Sequence, residues 1–416
     1  MLNRRKKKKI LPFISISLLV IILAVGAYLI FGKENKNVPA VDNNEQNNEQ
    51  NNEQNNAVNS DEKQSTSKMT LIAAGDIMFH DDQLNSVYDE EKNSYDFNSF
   101  FEYVTPYFTE ADLAVANFET TLGGDGIKYM GYPIFNSPDD VIDAIKNAGI
   151  DLVTTTNNHS FDTGLDGLKR TAQQLKKHDL EFIGTYEEKP ESRIKMKEVN
   201  GFKVGLLAYT EMINQQDQLG LSDDEIHDAI NLMDKDQIAK DTAEAKENGA
   251  DIIIAFMHWG VEYSQEPSAT QKEYAQFMAE QGVDIIIGSH PHVIQKSDML
   301  ETNNTFIVYS LGNFISNQRR ETLGKDFKRT EDGAMVKIEL EKDLETDETH
   351  ISDIDYIPTW VSRTETEVDG KFEYRIIPIK QFLEDESSSE IMKDLDKDKL
   401  KESLEATEKY LNTYIK

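Results

Sequence analysis

A chain of 416 residues with 44 Lys and Arg against 76 Asp and Glu has a formal net charge of −32, a balance that argues against nucleic acid as a partner. It contains no cysteine, so disulfides and cysteine lipidation are both excluded and the fold must rest on its own core. The length allows two or three average domains, or one large domain with appendages.

Residues 1–9 contain the basic cluster NRRKKKK, and residues 10–31 (ILPFISISLLVIILAVGAYLIF) are uncharged and apolar. About 20 such residues span a bilayer's hydrocarbon core, and basic residues on the amino side hold that end in the cytoplasm. The run is long for a cleaved signal peptide and no convincing small-x-small site follows it, so the expectation is an uncleaved single-pass transmembrane anchor with the rest of the chain outside the cell. Residues 32–68 hold three tandem NNEQ units and almost nothing apolar. Such a segment cannot bury enough surface to offset its ordering entropy and reads as a disordered linker, with a root-mean-square span of about 30 Å.

From Met69 the pattern changes. Short β-branched runs at 69–76, 112–119, 151–158, 202–210, 251–259 and 284–290 read as buried strands. Between them, 137–149, 164–179, 233–250 and 268–282 have helical spacing, with Ser137, Asp162 and Ser268 as start caps. This alternation implies a largely parallel or mixed sheet flanked by helices. Further on, 305–315, 334–341, 353–361 and 372–379 are strands with hardly any helix between them. They predict a second sheet packed on the first. The folded domain is placed at 69–383, with a charged and peripheral carboxy-terminal helix within 384–416.

The carboxyl ends of these strands collect the chemistry: Asp76 with His80 just beyond, Asn117 and Glu119, Asn158 and His159 with Asp162 following, His258 with Glu262 and Tyr263, His290 and His292, and Asn313. In open α/β sheets, ligands bind in the crevice beyond the strand carboxyl ends. Of the 8 histidines, His178, His227 and His350 lie elsewhere and the other five fall here. Singly, each position has a plain structural explanation, a turn-forming Asn or Asp162 as a helix cap. Jointly they point to a metal. In SHPH (289–292), His290 and His292 would face one side of an extended backbone, and neutral imidazole is the commonest transition-metal ligand. Imidazole, carboxylate and amide oxygen together suit Mn, Fe or Zn better than Ca or Mg.

The order Gly-Asp, carboxylate, Asn-His, His, Gly-x-His-x-His is also that of the calcineurin-like metallophosphoesterases. GDIM (75–78), ANFE (116–119), NNHSFDTG (157–164), HWGVEY (258–263), GSHPHV (288–293) and SLGNF (310–314) resemble the CapA family of poly-γ-glutamate capsule synthesis and export. The resemblance implies an α/β fold, a four-layer metallophosphoesterase-like sandwich of two mixed β-sheets flanked by helices, and the transmembrane helix read from residues 10–31 precedes it and agrees with it independently. It implies one metal site of Asn158, His258 and His290 and another of Asp76 and His292, with Glu119 bridging them. The cofactor would be a divalent transition metal, one or two ions of Mn, Fe or Zn. His159 would be the general acid, and Asp162 would orient it or cap the next helix. Glu262 and Tyr263 are further catalytic candidates, and His80, Asn117 and Asn313 are possible additional ligands.

Two departures stand out. The superfamily begins Asp-x-His where position 78 is Met, so the first site is a ligand short unless His80 bends in. The second block has Asn117-Phe118-Glu119 where the superfamily has an Asp in Gly-Asp context.

The implied function is that of a protein of the bacterial cell membrane whose extracellular domain assembles, releases or exports poly-γ-glutamate or another envelope polymer by metal-dependent hydrolysis. Its partners would be that polymer, the membrane and capsule synthase membrane subunits. A general cell-envelope metallophosphoesterase and a non-catalytic polymer- or partner-binding component stay open as alternatives.

Overall fold

The computed structural model describes residues 65–368, 370–384 and 395–411. The expected anchor at 10–31 lies outside the described residues, as does nearly all of the linker. Among the described residues no helix is long and apolar enough to cross a membrane. The linker's expected end at 68 falls inside the first strand, where Thr66, Ser67 and Lys68 already pair with Asp343, Lys342 and Glu341.

That strand, β1 (Thr66–Ile77), is followed by a small hairpin of β2 (Tyr88–Asp89) and β3 (Ser94–Tyr95), then by β4 (Leu113–Phe118), β5 (Leu152–Thr154) and β6 (Glu181–Ile183). The middle of the chain supplies β7 (Lys195–Val199), β8 (Phe202–Thr210), β9 (Ile252–His258), β10 (Ile285–Ser289), β11 (Ser297–Leu300) and β12 (Thr305–Val308). Last come β13 (Asn313–Ile315), β14 (Asp332–Asp343), β15 (Thr349–Glu365) and β16 (Phe372–Pro378).

The second half of the chain does not form a sheet of its own, contrary to expectation. The final strands join the first ones in an eight-stranded sheet, order β16-β15-β14-β1-β4-β5-β6 with β13 on the end of β1. The middle strands form a six-stranded sheet, order β11-β12-β10-β9-β8-β7. The reason lies in β1, which buries both faces and offers both edges: β14 pairs antiparallel to it and β4 parallel. The run 305–315 correspondingly breaks into β12 and β13, one in each sheet, across a turn at Gly312 with φ of 71°.

Period-two alternation in β1 assigns its side chains to two cores. Leu71 and Ala73 join Leu113, Val115, Val204, Leu206, Ile254 and Ile285 between the sheets. Ile72 and Ala74 face outward against Phe100, Val141 and Ile145 of the helices covering the eight-stranded sheet. The helices Lys235–Glu247 and Ala269–Gln281 cover the other outer face through Ile238, Ala245, Ala275 and Met278. The layers therefore run helix, sheet, sheet, helix. Close backbone approach requires glycine where the sheets meet: a Cβ on Gly75 would lie 1.9 Å from the Gly312 carbonyl, and one on Gly288 2.0 Å from that of Tyr309.

The last described helix, Lys397–Leu411, is not peripheral. Leu400 packs with Trp360 and Ile377, and Leu411 is fully buried in the inter-sheet core. Its charges had masked a narrow apolar stripe.

Candidate metal centre

The two sheets bring the carboxyl ends of β1, β4, β5, β9 and β10 to one place, and the predicted ligands meet there. Glu119, His258 and His290 form one group and Asp76, Glu119 and His292 another, each with its ligand atoms within 4.8 Å of one another. All five side chains are buried. Asn158 belongs to the first group, since its Oδ1 lies 2.8 Å from His258 Nε2.

Hydrogen bonds behind these groups decide which atoms face inward. Ser289 Oγ donates to the Met257 carbonyl and lies 3.1 Å from His258 Nδ1, so it accepts there and leaves the His258 lone pair on Nε2. Around that lone pair gather Asn158 Oδ1, His290 Nδ1 at 3.1 Å and Glu119 Oε1 at 3.6 Å. In the second group, Asn313 donates through Nδ2 to Gln318 and the Thr330 carbonyl. Its Oδ1 is thus turned to His292 Nδ1, 3.1 Å away, and the His292 lone pair is on Nε2, 3.9 Å from Glu119 Oε1. Asn117 donates to Asp76 at 2.8 Å and to Glu119 at 3.3 Å, its own oxygen fixed by Thr154. Asn117 and Asn313 accordingly orient the ligands rather than joining the groups.

Electrostatics agree with this arrangement. Burial, and then the neighbouring Asp76 carboxylate, push Glu119 well above the usual carboxylate range. Its Oε1 is buried with no hydrogen-bond partner among the described residues. Burial, and then the other imidazoles, hold His258 well below its ordinary value, and burial lowers His290 to about 3. Neutral imidazoles, an amide oxygen and an orphaned carboxylate oxygen converge on common points, and that is the donor set a divalent transition metal takes. The residues fit the ion.

The backbone at His290 and His292 is not extended. Both have left-handed φ, 96° and 57°, in the turn beyond β10. Their rings converge because a strained turn aims them, and the His290 N–H is thereby turned to Asp76 Oδ2 at 3.2 Å.

His159 stands next to the ligand groups, buried, with Nδ1 2.7 Å from Asp162 Oδ2. Asp162 Oδ2 also accepts the Phe135 N–H at 2.6 Å, and the helix Gly164–Lys177 has Thr163 at its N-cap. Of the two roles open to Asp162, orienting the imidazole is the one its contacts serve. The Phe135 ring meets His159 edge-on at 4.7 Å and His80 at 5.2 Å.

His80 belongs to neither ligand group. It accepts the Asn317 N–H on Nδ1 at 3.2 Å, and burial lowers it to about 4. Tyr263, at φ 64°, sets its ring 6.1 Å from that of His292, and burial raises its phenol. Glu262 is exposed beside it. Glu262 is in neither ligand group.

One residue of the centre escaped sequence reasoning. Asn214 lies four residues beyond the end of β8 and contacts both Asn158 and His159. Its place beyond a strand carboxyl end was the available signal.

Residues 70–318 match the family described as bacterial capsule synthesis protein PGA_cap. The capsule biosynthesis protein CapA of Bacillus anthracis is 31% identical over 290 residues, 67% of this chain and 65% of that protein. The PGA biosynthesis protein CapA of Bacillus subtilis (strain 168) is 29% identical over 249 residues, 59% of this chain and 62% of that protein. The match thus spans less than two thirds of either relative's length. Among solved structures, the calcineurin-like phosphoesterase YfkN from Bacillus subtilis superposes with a TM-score of 0.44 at 16% identity, covering 70% of this chain and 90% of that one.

Proposed function

Since the chain belongs to the bacterial capsule synthesis protein family, we propose that it acts on an envelope polymer of the poly-γ-glutamate kind through a metal-dependent hydrolytic step in the polymer's assembly, release or export. The observation that carries this reading is the convergence of Asn158, His258, His290, Glu119, Asp76 and His292 beside the His159–Asp162 pair. Residues 10–31 would hold the chain in the cell membrane, with the folded part outside. The polymer and capsule synthase membrane subunits would be its partners.

Asn158, His258, His290 and Glu119 would hold one ion, and Asp76, His292 and the shared Glu119 a second with fewer protein ligands. A divalent ion supplies Lewis acidity and lowers the pKa of water enough to make a nucleophile at neutral pH. The chain's own residues do the rest. Asp162 keeps the His159 Nδ1 proton engaged, so that Nε2 is the nitrogen that exchanges a proton with a leaving group. Asn117, Ser289 and Asn313 fix ligand orientation.

Elemental analysis of the full-length chain, wild type against His290→Ala and His292→Ala, tests the metal. About one or two Mn, Fe or Zn ions per chain are expected in wild type, and each substitution should reduce the count. His159→Ala should keep its metal yet lose about 10²–10⁴-fold in cleavage of poly-γ-glutamate. A wild-type chain that neither holds nor takes up metal would point to a polymer- or partner-binding role without hydrolysis.

A further inference from the structure

An asparagine side chain offers an oxygen at one end and an NH₂ at the other, and only the oxygen ligates a metal. Asn158 therefore needs something to decide which end faces His258 and His290. Asn214 occupies the position to do so. Its Oδ1 accepts from Asn158 Nδ2 at 3.4 Å, and its backbone N–H donates to the Asn158 carbonyl at 2.9 Å. Asn158 Oδ1 is thereby left toward His258 Nε2.

Asn214 is itself held on both sides. Ile213 is buried with Phe161 and Leu168 of the segment that follows His159, and Glu211 N–H bonds to the His258 carbonyl at 2.8 Å. The Asn214 amide also lies against the His159 ring, its Nδ2 3.4 Å from both ring nitrogens. One side chain from beyond the end of β8 thus touches both the amide ligand from the β5 loop and the adjoining histidine.

We infer that Asn214 is a positioning residue that fixes the amide of Asn158 with its oxygen toward the metal. This rests on the metal reading above. It goes beyond that reading in assigning the ligand's orientation to a residue of a different strand end.

The inference has a signature that a merely structural role lacks. An aspartate at 158 has two equivalent oxygens, so orientation no longer matters and Asn214 should become dispensable for binding. Zn²⁺ affinity of the full-length chain, measured by competition with a chromophoric chelator, should fall about 10-fold or more for Asn214→Leu. In an Asn158→Asp background, the same substitution should change affinity by less than about twofold, the remainder expected when the coupling is lost. Thermal melts of the metal-free variants establish that each is folded. Should the leucine not be accommodated, Asn214→Ser removes the same contact without added bulk. An equal loss in both backgrounds, or no loss in either, overturns the inference while leaving the metal centre standing. A wild type that binds no Zn²⁺ overturns both.

Discussion

His80 shows how a residue can share the neighbourhood of a candidate metal centre without belonging to its ligand groups. Asn317 takes its Nδ1 lone pair through a backbone N–H, and Tyr374 holds the Asn317 side chain in place at 3.0 Å, so the ring cannot swing toward Asp76 without giving up the bond from Asn317. Burial lowers His80 from its ordinary 6.5 to about 4. Between those values the unfolded chain binds a proton that the folded chain refuses. His80 thus contributes stability that is present above pH 6.5 and lost as the pH falls toward 4. His80→Asn keeps an acceptor for the Asn317 N–H but does not titrate. Melts of the metal-free protein in a pH series should therefore show a shallower loss of Tm below pH 6.5 in the variant than in wild type. Identical slopes would mean that the folded His80 titrates as it does when unfolded. Most of the centre's side chains could be named from sequence because each stands at a strand's carboxyl end. Their division into ligands and orienting residues could not, since that depends on which hydrogen bond each second atom makes.

At the scale of elements, the strands were legible because runs such as IIIAF and DIIIG, though without a period of their own, are short, β-branched and bounded by polar residues or glycine. The closing helix Lys397–Leu411 was legible as a helix but misread as peripheral, because its stripe is only Leu400, Ser403, Thr407 and Leu411 among many charges. Leu400 is fully buried against Trp360, Ile377 and Phe382. Leu400→Ala should cost about 2–5 kcal/mol, the loss of a buried leucine and the cavity it leaves. Denaturant titration checks this: the midpoint should fall while the m-value stays unchanged. A cost below about 0.5 kcal/mol would return the helix to the periphery. The turn SHPH resisted reading for another reason. Two non-glycine residues at positive φ are unfavourable locally, and only the surrounding packing makes them tolerable.

The whole molecule combines a net charge of −32 with a proposed polyanionic substrate. Like charges repel, and the Debye length shrinks from about 30 Å at 0.01 M salt to about 10 Å at 0.1 M. Association with poly-γ-glutamate should therefore strengthen as salt rises across that range, the reverse of an interface between opposite charges. Light scattering or sedimentation of the mixture would reveal the sign, and weakening with salt would indicate a locally cationic landing site instead. The sequence by itself determined the family, the strand-and-helix alternation from residue 70 onward and the identities of the side chains that meet at the centre, because hydrophobic period and residue chemistry are local properties. Only the tertiary structure decided that β14 to β16 return to join the sheet of β1, that Asn214 reaches Asn158, and that Glu119 Oε1 is left orphaned between His258 and His292. Those facts depend on long-range strand pairing, which is selected by the total burial of both sheets and leaves no mark in any short stretch of chain.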